Sequence, residues 1–377
     1  MALRLGARRL LVLFLPILLV LIFLISALQT GSPAAPFLAL KDGASSIYHK
    51  TPRPPLEHGF SNVISVLYEP IKLPVTAESY TDQRGHKWDN GGRHYWKERL
   101  GNDVLIVDMD TRIPNEKNDI FNDHKMDWEA VRAVDSGLLT VGHINHFVYA
   151  QIHGYDYKYI HAKKMKGYHD AWIKPHLLKG LLPSYKFIIY LDADAIIQHL
   201  EVPMEFLFNR WDISPNTSIA MPIDTRELPN DDEHHSTDSK GKMVLNAGII
   251  FLQNLPYSHD MLQAWIDCPD EKRYPGCARW KNRWSNEQRA FSEYIRYDFN
   301  PSGNNIVEIP CNEAHGYPGL FGKGDVVDDC HGEFISHHTL DKDKGKTSVS
   351  DAIMQNLGEL LQKNFAENRK DILIEEQ

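Results

Sequence analysis

Two aspartates one residue apart directly follow a run of apolar residues. Residues 190–194 read YLDAD and end the apolar run that begins at Phe187. A continuous apolar run is typical of a strand buried on both faces, and ligands of open α/β sheets bind beyond the carboxyl ends of the strands. Carboxylate oxygens are hard ligands that suit Mg²⁺ or Mn²⁺. Asp192 and Asp194 therefore predict a divalent-cation site, where the cation would bridge the oxygens of a diphosphate.

The patterns around this pair predict alternating strands and helices. Strands are predicted at 104–107, 155–160 and 187–191, and helices at 127–137, 143–153 and 171–182. Gly154 would end the second helix and Pro183 would follow the third. Alternating strands and helices are typical of a mostly parallel sheet. The predicted fold class is therefore α/β, with the globular part beginning near Asn102.

The N-terminus carries a long apolar segment at residues 10–28, about the length of a membrane-spanning helix. Arg4, Arg8 and Arg9 precede it, which places the N-terminus in the cytosol by the positive-inside rule. A cleaved signal peptide is the alternative, although its apolar core is usually shorter. We expect a cytosolic tail at 1–9, a transmembrane signal anchor at 10–28, a Pro- and Ser-rich stem at 29–60 and a lumenal domain at 61–377.

All four cysteines lie beyond the apolar segment, which suggests two disulfides in a lumenal domain. Three pairings are open, and we favour Cys268–Cys277 with Cys311–Cys330 because they close short loops. A zinc site is disfavoured because the sequence has no Cys-x-x-Cys spacing. Asn216 begins an Asn-Thr-Ser glycosylation sequon, consistent with a lumenal location.

Four stretches together resemble glycosyltransferase family 34, the fungal α-galactosyl- and α-mannosyltransferases and plant xylosyltransferases of the Golgi. They are residues 145–157 (NHFVYAQIHGYDY), 171–178 (AWIKPHLL), 190–197 (YLDADAII) and 246–254 (NAGIIFLQN). The resemblance implies a GT-A fold, in which a Rossmann-like nucleotide-sugar-binding half is fused to a smaller acceptor half. It also implies retaining transfer of a hexose (galactose or mannose, with xylose as a further candidate) from a nucleoside-diphosphate sugar. The acceptor would be a glycan or glycoprotein in the Golgi lumen.

The resemblance also assigns roles to individual residues. Asp192, Asp194 and His337 would hold Mn²⁺ or Mg²⁺, since imidazole is a common ligand beside carboxylates. Glu287 and Gln288 would be catalytic, because a carboxylate or amide near the sugar can stabilise a transition state of oxocarbenium character. The donor would be contacted by both aspartates and by Lys174, Asn246, Gly248 and Lys342. A lysine near the phosphates would stabilise the leaving group electrostatically.

Three departures from the family pattern leave the donor and the acceptor open. Asn286 replaces an acid, Tyr190 stands where the family more often has Trp, and His338 and Thr339 are unusual after His337. His338 is an alternative metal ligand. Because adjacent residues of an extended segment point to opposite sides, only one of the two histidines is expected to serve.

Two further functions compete with this interpretation. Residues 104–111 (VLIVDMDT) have the form of a haloacid-dehalogenase-type phosphatase motif, in which Asp108 would be the nucleophile and Asp110 the acid/base. That function leaves Asp192, Asp194 and His337 without a role. A non-catalytic lumenal subunit in a complex with other glycosyltransferases is the other alternative, since glycosyltransferases of this kind often assemble with one another. The net charge of −9 argues against nucleic acid as a partner.

Overall fold

The computed structural model describes residues 59–228 and 236–375. The predicted cytosolic tail, the predicted anchor at 10–28 and nearly all of the predicted stem lie outside the described residues. Among the helices that are described, none combines the length and apolarity that crossing a membrane requires. Asn216 of the sequon is exposed, in the turn between a helix that ends at Arg210 and a strand that begins at Ile219.

Helices and short strands alternate along the described chain. The first half contains α1 (Phe60–Tyr68), β1 (Ser79–Thr81), β2 (Lys87–Asp89), β3 (Val104–Asp110), α2 (Asp135–His153), β4 (Asp156–His161), α3 (Ile173–Leu181), β5 (Phe187–Leu191), β6 (Ala195–Ile197), α4 (Met204–Arg210) and β7 (Ile219–Pro222). The second half contains β8 (Ile249–Gln253), α5 (Pro256–Asp267), α6 (Asn286–Ala290), α7 (Arg296–Asp298), β9 (Ile306–Ile309), β10 (Ala314–His315), β11 (Ile335–His337), α8 (Asp343–Glu367) and α9 (Arg369–Ile372). A π-helical turn at Phe291–Ile295 joins α6 to α7.

The main sheet has six strands in the order β4-β3-β5-β8-β7-β9. Strand β3 is parallel to β4 and β5, and β7 is parallel to β9, whereas β8 runs antiparallel to both β5 and β7. The sheet is therefore mixed, and the prediction of a mostly parallel sheet holds for three of its five pairings. Strand β5 has the predicted bounds, and all five of its residues are buried.

Helices cover both faces of this sheet, because the side chains of each strand alternate between the two sides. On one face, Trp172 and Trp265 pack in the same apolar cluster as Ile188 and Tyr190 of β5. On the other face, α2 and α4 pack over Phe187 and Ile189 of β5; these helices contribute, among others, Tyr149, Phe206 and Phe208. The end of β5 is thereby held rigidly from both sides.

The helix predicted at 127–137 is wrong. Residues 126–134 form turns, and α2 begins only at Asp135, whose φ is 48°. Within this segment, Val131 and Ala133 pack from non-helical backbone against Leu138 in a small separate cluster. The helix predicted at 143–153 is the second half of α2, and it ends as predicted at Gly154, which adopts the left-handed conformation.

A second, three-stranded sheet returns the C-terminal part of the chain to the end of β5. Its order is β10-β11-β6, and His337 of β11 is paired in register with Ala195 of β6. The disulfides Cys268–Cys277 and Cys311–Cys330 confirm the favoured pairing, with Cα–Cα distances of 5.5 and 5.6 Å. The second disulfide closes the segment that contains β10.

Candidate active site

Two carboxylates and an imidazole meet at the carboxyl end of β5. Asp192 and Asp194 lie in the turn between β5 and β6, and the β6–β11 pairing places His337 beside them. His337 Nε2 lies 3.1 Å from Asp194 Oδ1 and 3.9 Å from Asp192 Oδ2. One ligand atom from each of the three residues falls within 4.8 Å of the others. Residues separated by more than 140 positions are thus brought together as a potential metal group.

Two lysines contact these aspartates, one each. Lys342 Nζ lies 2.9 Å from Asp194 Oδ2, and Lys174 Nζ lies 3.2 Å from Asp192 Oδ1. Burial alone would raise the pKa of Asp194, but the neighbouring His337 and Lys342 hold that pKa well below its usual range. Both lysines are therefore close enough to contact an anion bound over the aspartates.

Lys174 also reaches a second acidic residue. Its Nζ lies 3.2 Å from Glu287 Oε1 and donates a hydrogen bond of 3.1 Å to the carbonyl of Ala247. Desolvation opposes the charge of Lys174, yet Asp192 and Glu287 together raise its pKa above the usual value. Lys174 is consequently a fixed cation that joins the metal group to the segment around Glu287.

Asn246 and Gly248 shape the floor of the site where β8 begins. Asn246 Oδ1 accepts a hydrogen bond of 2.8 Å from the backbone N–H of Gly248, and the carbonyl of Gly248 accepts one of 2.7 Å from Asp192 N–H. A Cβ at Gly248 would lie 2.3 Å from His337 Cε1 and 2.8 Å from Asp192 Oδ2. Only glycine therefore leaves room for these side chains at this position.

Glu287 and Gln288 lie on α6, at the side of the site. Glu287 is 3% exposed, and its Oε2 has no hydrogen-bond partner among the described residues. Gln288 Oε1 accepts a hydrogen bond of 2.9 Å from Ala247 N–H, and its Nε2 donates one of 2.8 Å to Asp224 Oδ2. The pair is thus held next to the metal group, with one carboxylate oxygen of Glu287 unpaired.

The structure distinguishes the two neighbouring histidines by direction. Whereas His337 points to the aspartates, His338 Nε2 lies 3.0 Å from both Ser336 Oγ and Ser348 Oγ on the other side of β11. Burial lowers the pKa of His338 to about 4. Of the two histidines, only His337 is placed beside Asp192 and Asp194.

Asp108 and Asp110 both lie on strand β3. Asp108 is 2% exposed and is bonded to His146 Nδ1 at 2.7 Å and to the hydroxyl of Tyr157 at 2.5 Å. Asp110 forms an ion pair of 2.8 Å with Arg112. A buried carboxylate with both oxygens bonded is not available as a phosphoryl-accepting nucleophile, which removes the basis of the phosphatase interpretation.

Three residues of the site were not predicted from the sequence as functional. Asp224 follows β7 and His315 ends β10; His315 Nε2 lies 2.7 Å from Asp224 Oδ1, and His315 Nδ1 lies 3.0 Å from His337 Nδ1. Tyr190 donates a hydrogen bond from its hydroxyl to Asp192 Oδ1. Asp224 could have been found as an acid directly after an apolar run, like Asp192. His315 has no such signal, because only the tertiary fold places it here.

The chain also resembles known proteins. Residues 126–300 match the galactosyl transferase GMA12/MNN10 family, glycosyltransferase family 34. A search of curated proteins finds no match.

Three similar solved structures are all glycosyltransferases. The first is a glycosyltransferase involved in glycosylation of the major capsid of PBCV-1, with 13% identity, a TM-score of 0.40, and coverage of 66% of this chain and 98% of that chain. The second is mouse xyloside xylosyltransferase 1, with 10% identity, a TM-score of 0.36, and coverage of 63% and 98%. The third is an active-site mutant of LgtC, with 11% identity, a TM-score of 0.36, and coverage of 67% and 95%. At these levels of similarity no residue role is transferred from them.

The family match covers most of the residues described above. It includes β5, the turn with Asp192 and Asp194, and α6 with Glu287 and Gln288, while His337 and Lys342 lie beyond it. Residues 126–300, a little under half of the chain, thus match the galactosyl transferase GMA12/MNN10 family that the sequence motifs resemble, and this chain is a glycosyltransferase.

Proposed function

We propose that this chain is a metal-dependent, retaining hexosyltransferase of GT-A type. It transfers galactose or mannose, with xylose as a further candidate, from a nucleoside-diphosphate sugar to a glycan or glycoprotein acceptor. The observation that carries the proposal is the meeting of Asp192, Asp194 and His337 at the end of β5, between Lys174 and Lys342. Oxygen and imidazole ligands in this combination suit Mn²⁺ or Mg²⁺.

The charge balance of the site fits a divalent cation. Four carboxylates (Asp192, Asp194, Asp224 and Glu287) face two ammonium groups (Lys174 and Lys342), which leaves two negative charges uncompensated by lysine. Buried charges are normally paired or coordinate metals. The absence of a side chain at Gly248, where a Cβ would lie 2.8 Å from Asp192 Oδ2, keeps the space between the ligands open.

Different residues of the site would hold the cation, stabilise the phosphates and shape the donor position. Asp192, Asp194 and His337 would hold the cation, which when bound neutralises charge on the diphosphate. Lys342 beside Asp194 and Lys174 beside Asp192 add positive charge that would stabilise the departing nucleotide. Asn246 and Gly248 fix the floor through the hydrogen bond from Gly248 N–H to Asn246 Oδ1.

Glu287 and Gln288 are the proposed catalytic residues. The unpaired Oε2 of Glu287 is a buried negative oxygen next to the donor position, suited to stabilising positive charge that develops on the sugar ring. Lys174 Nζ lies 3.2 Å from the other oxygen and orients the carboxylate. Gln288 is fixed by its bonds to Ala247 N–H and Asp224, so its amide is preorganised.

We also propose that the protein is a single-pass type II membrane protein of the Golgi. Residues 1–9 would be cytosolic, 10–28 the anchor, 29–60 the stem and 61–377 the lumenal catalytic domain. The apolar segment preceded by Arg4, Arg8 and Arg9 supports the anchor, and two disulfides support an oxidising compartment. Association with other glycosyltransferases is part of this proposal.

A panel of nucleotide sugars tests the proposal. The full chain, purified in detergent with Mn²⁺, is incubated with UDP- and GDP-linked galactose, mannose and xylose, and release of the nucleoside diphosphate is measured. We expect release from one of them, and loss of that release in Asp192→Asn, which keeps the size of the side chain but removes its charge. Nucleotide release that persists unchanged in Asp192→Asn would move the metal site elsewhere. No release from any donor, with or without glycan acceptors, would favour a non-catalytic subunit.

A further inference from the structure

His315 is a fully buried histidine that lies between the proposed metal group and Asp224. Its Nδ1 is 3.0 Å from His337 Nδ1, and its Nε2 is 2.7 Å from Asp224 Oδ1. The backbone of His315 has a φ of 94°, which residues other than glycine rarely adopt. Such strain persists only where the surrounding structure enforces it. The fold therefore holds His315 in this position at an energetic cost.

The two imidazoles can share a hydrogen bond in only two ways. For His337 Nε2 to offer a lone pair to a cation, the hydrogen of His337 must sit on Nδ1 and be donated to His315 Nδ1. The hydrogen of His315 then sits on Nε2, which faces Asp224 Oδ1 at a distance of 2.7 Å. In this arrangement the N–H of each ring lies against an atom that carries a lone pair, His315 Nδ1 for His337 and Asp224 Oδ1 for His315.

The opposite arrangement is unfavourable because of Asp224. If His315 donated from Nδ1 to His337 Nδ1, the hydrogen of His337 would sit on Nε2 and occupy the position of the cation. Neutral His315 would then turn an unprotonated Nε2 towards Asp224 Oδ1 at 2.7 Å, so that two acceptors would face each other. An ionised Asp224 therefore selects the tautomer of His337 that binds metal.

Asp224 reaches the proposed catalytic residues with its other oxygen. Its Oδ2 accepts the hydrogen bond of 2.8 Å from Gln288 Nε2, while the amide oxygen of Gln288 is held by Ala247 N–H at 2.9 Å. One carboxylate thus fixes both the tautomer of a metal ligand and the orientation of an amide beside the donor position.

We propose that Asp224 and His315 are positioning residues that hold His337 with Nε2 free to bind the cation, and that Asp224 simultaneously orients Gln288. This inference rests on the proposed function, because it assumes that His337 binds a metal ion. Outer hydrogen-bond partners of metal-ligating histidines commonly fix the ligand in this manner, and their loss lowers metal affinity roughly 10–100-fold.

Asp224→Asn is the most informative substitution, because it preserves size and removes one acceptor. The new asparagine amide has two orientations. With its oxygen towards His315, its NH₂ group faces the NH₂ group of Gln288. With its oxygen towards Gln288, its NH₂ group faces the N–H of His315. Either orientation sets two donors against each other. Mn²⁺ affinity, measured without nucleotide or turnover by the electron paramagnetic resonance signal of free Mn²⁺, should fall roughly 10–100-fold.

Repeating the Asp224→Asn substitution in the His337→Ala variant distinguishes a positioning role of Asp224 from a general effect of losing its negative charge. In His337→Ala, which has no imidazole to position, Asp224→Asn should cause little further loss of Mn²⁺ affinity. His315→Asn provides an independent test, because asparagine tolerates a positive φ better than most residues but is too short to join Asp224 to His337. It should weaken Mn²⁺ binding in the wild-type background and not in His337→Ala.

Asp238→Asn is the matched control. Asp238 is also a buried aspartate, bonded to the hydroxyl of Tyr297 and to two backbone N–H groups rather than to the site. Its substitution should lower the thermal midpoint and leave Mn²⁺ affinity unchanged. The positioning role alone would be overturned if Mn²⁺ affinity were unchanged in both Asp224→Asn and His315→Asn. It would also be overturned if these substitutions lowered Mn²⁺ affinity equally in the wild-type and His337→Ala backgrounds. A wild-type chain that binds no Mn²⁺ would overturn the proposed metal site itself.

Discussion

The contact between helix α2 and the Asp192–Asp194 turn leads to a prediction at Gly142. A Cβ at Gly142 would lie 2.3 Å from the carbonyl oxygen of Ala193, the residue between the two aspartates. Carbon–oxygen contacts of this kind normally span about 3.3–3.6 Å, so an alanine requires helix and turn to separate by about 1 Å.

The surrounding hydrogen bonds oppose this separation. His146 on the same helix approaches the carbonyl of Ala195 at 2.6 Å through Nε2, and Asn145 exchanges hydrogen bonds with Ile197 at 2.8 and 3.0 Å. Overpacking of this kind costs about 1–3 kcal/mol, whereas replacing a glycine inside a helix by alanine gains about 0.5–1 kcal/mol. We therefore expect Gly142→Ala to lower the free energy of unfolding by about 1–2 kcal/mol.

Gly358→Ala is the matched control, because Gly358 lies within α8 and a Cβ there would meet nothing within 4 Å. It should raise stability by about 0.5–1 kcal/mol. Urea denaturation of wild type and both variants measures the difference. Nucleotide release by Gly142→Ala should also fall, since a displacement of about 1 Å near the chemistry can cost about 100-fold. A Gly142→Ala chain that is as stable as Gly358→Ala and fully active would refute the tight contact.

Two further predictions concern Gly248 in the proposed metal site and the pH dependence of stability. Gly248→Ala places a Cβ 2.3 Å from His337 Cε1 and should displace this ligand. Mn²⁺ affinity, measured by isothermal titration calorimetry, should fall by at least roughly 10–100-fold, the loss seen when a partner that supports a metal ligand is removed. Unchanged affinity would contradict this geometry. Desolvation lowers the pKa of His153 to about 3, despite the hydrogen bond from its Nε2 to the carbonyl of Leu200. Between about pH 6.5 and 3, the unfolded chain therefore binds more protons at His153 than the folded chain does. Protonation of His153 in the unfolded chain thus lowers the free energy of unfolding as the pH falls below 6.5, by about 1.4 kcal/mol at pH 5.5. His153→Gln, which can still donate to Leu200, should show a shallower acid loss in urea denaturation, and an identical slope would refute this role.

The local features that the sequence predicts are those set by short stretches of chain. Strand β5 and the end of α2 at Gly154 are recognisable from apolar runs and a terminating glycine. The direction of β8 beside β5 is not, because a strand buried on both faces has the same composition in parallel and antiparallel pairing. The helix expected at 127–137 fails because Val131 and Ala133 are buried from turns rather than from a helical face.

The site was predictable where a motif carried it and not where the fold alone assembled it. Asp192 and Asp194 follow a strand, and the resemblance to family 34 supplied His337 and Lys342 on a distant segment. His315 reaches His337 only because β10 pairs with β11. No spacing in the sequence encodes that pairing, so the histidine between His337 and Asp224 could be found only from the structure.

The most direct test of the account is Mn²⁺ binding by two adjacent single variants. The full chain in detergent is titrated with Mn²⁺ in the presence of UDP or GDP, and free Mn²⁺ is followed by electron paramagnetic resonance. His337→Ala should bind Mn²⁺ roughly 10–100-fold more weakly than wild type or worse. His338→Ala should bind it as wild type does, since its ring contacts Ser336 and Ser348 on the opposite side of the strand. Equal Mn²⁺ affinity in wild type and His337→Ala would contradict the proposed metal site.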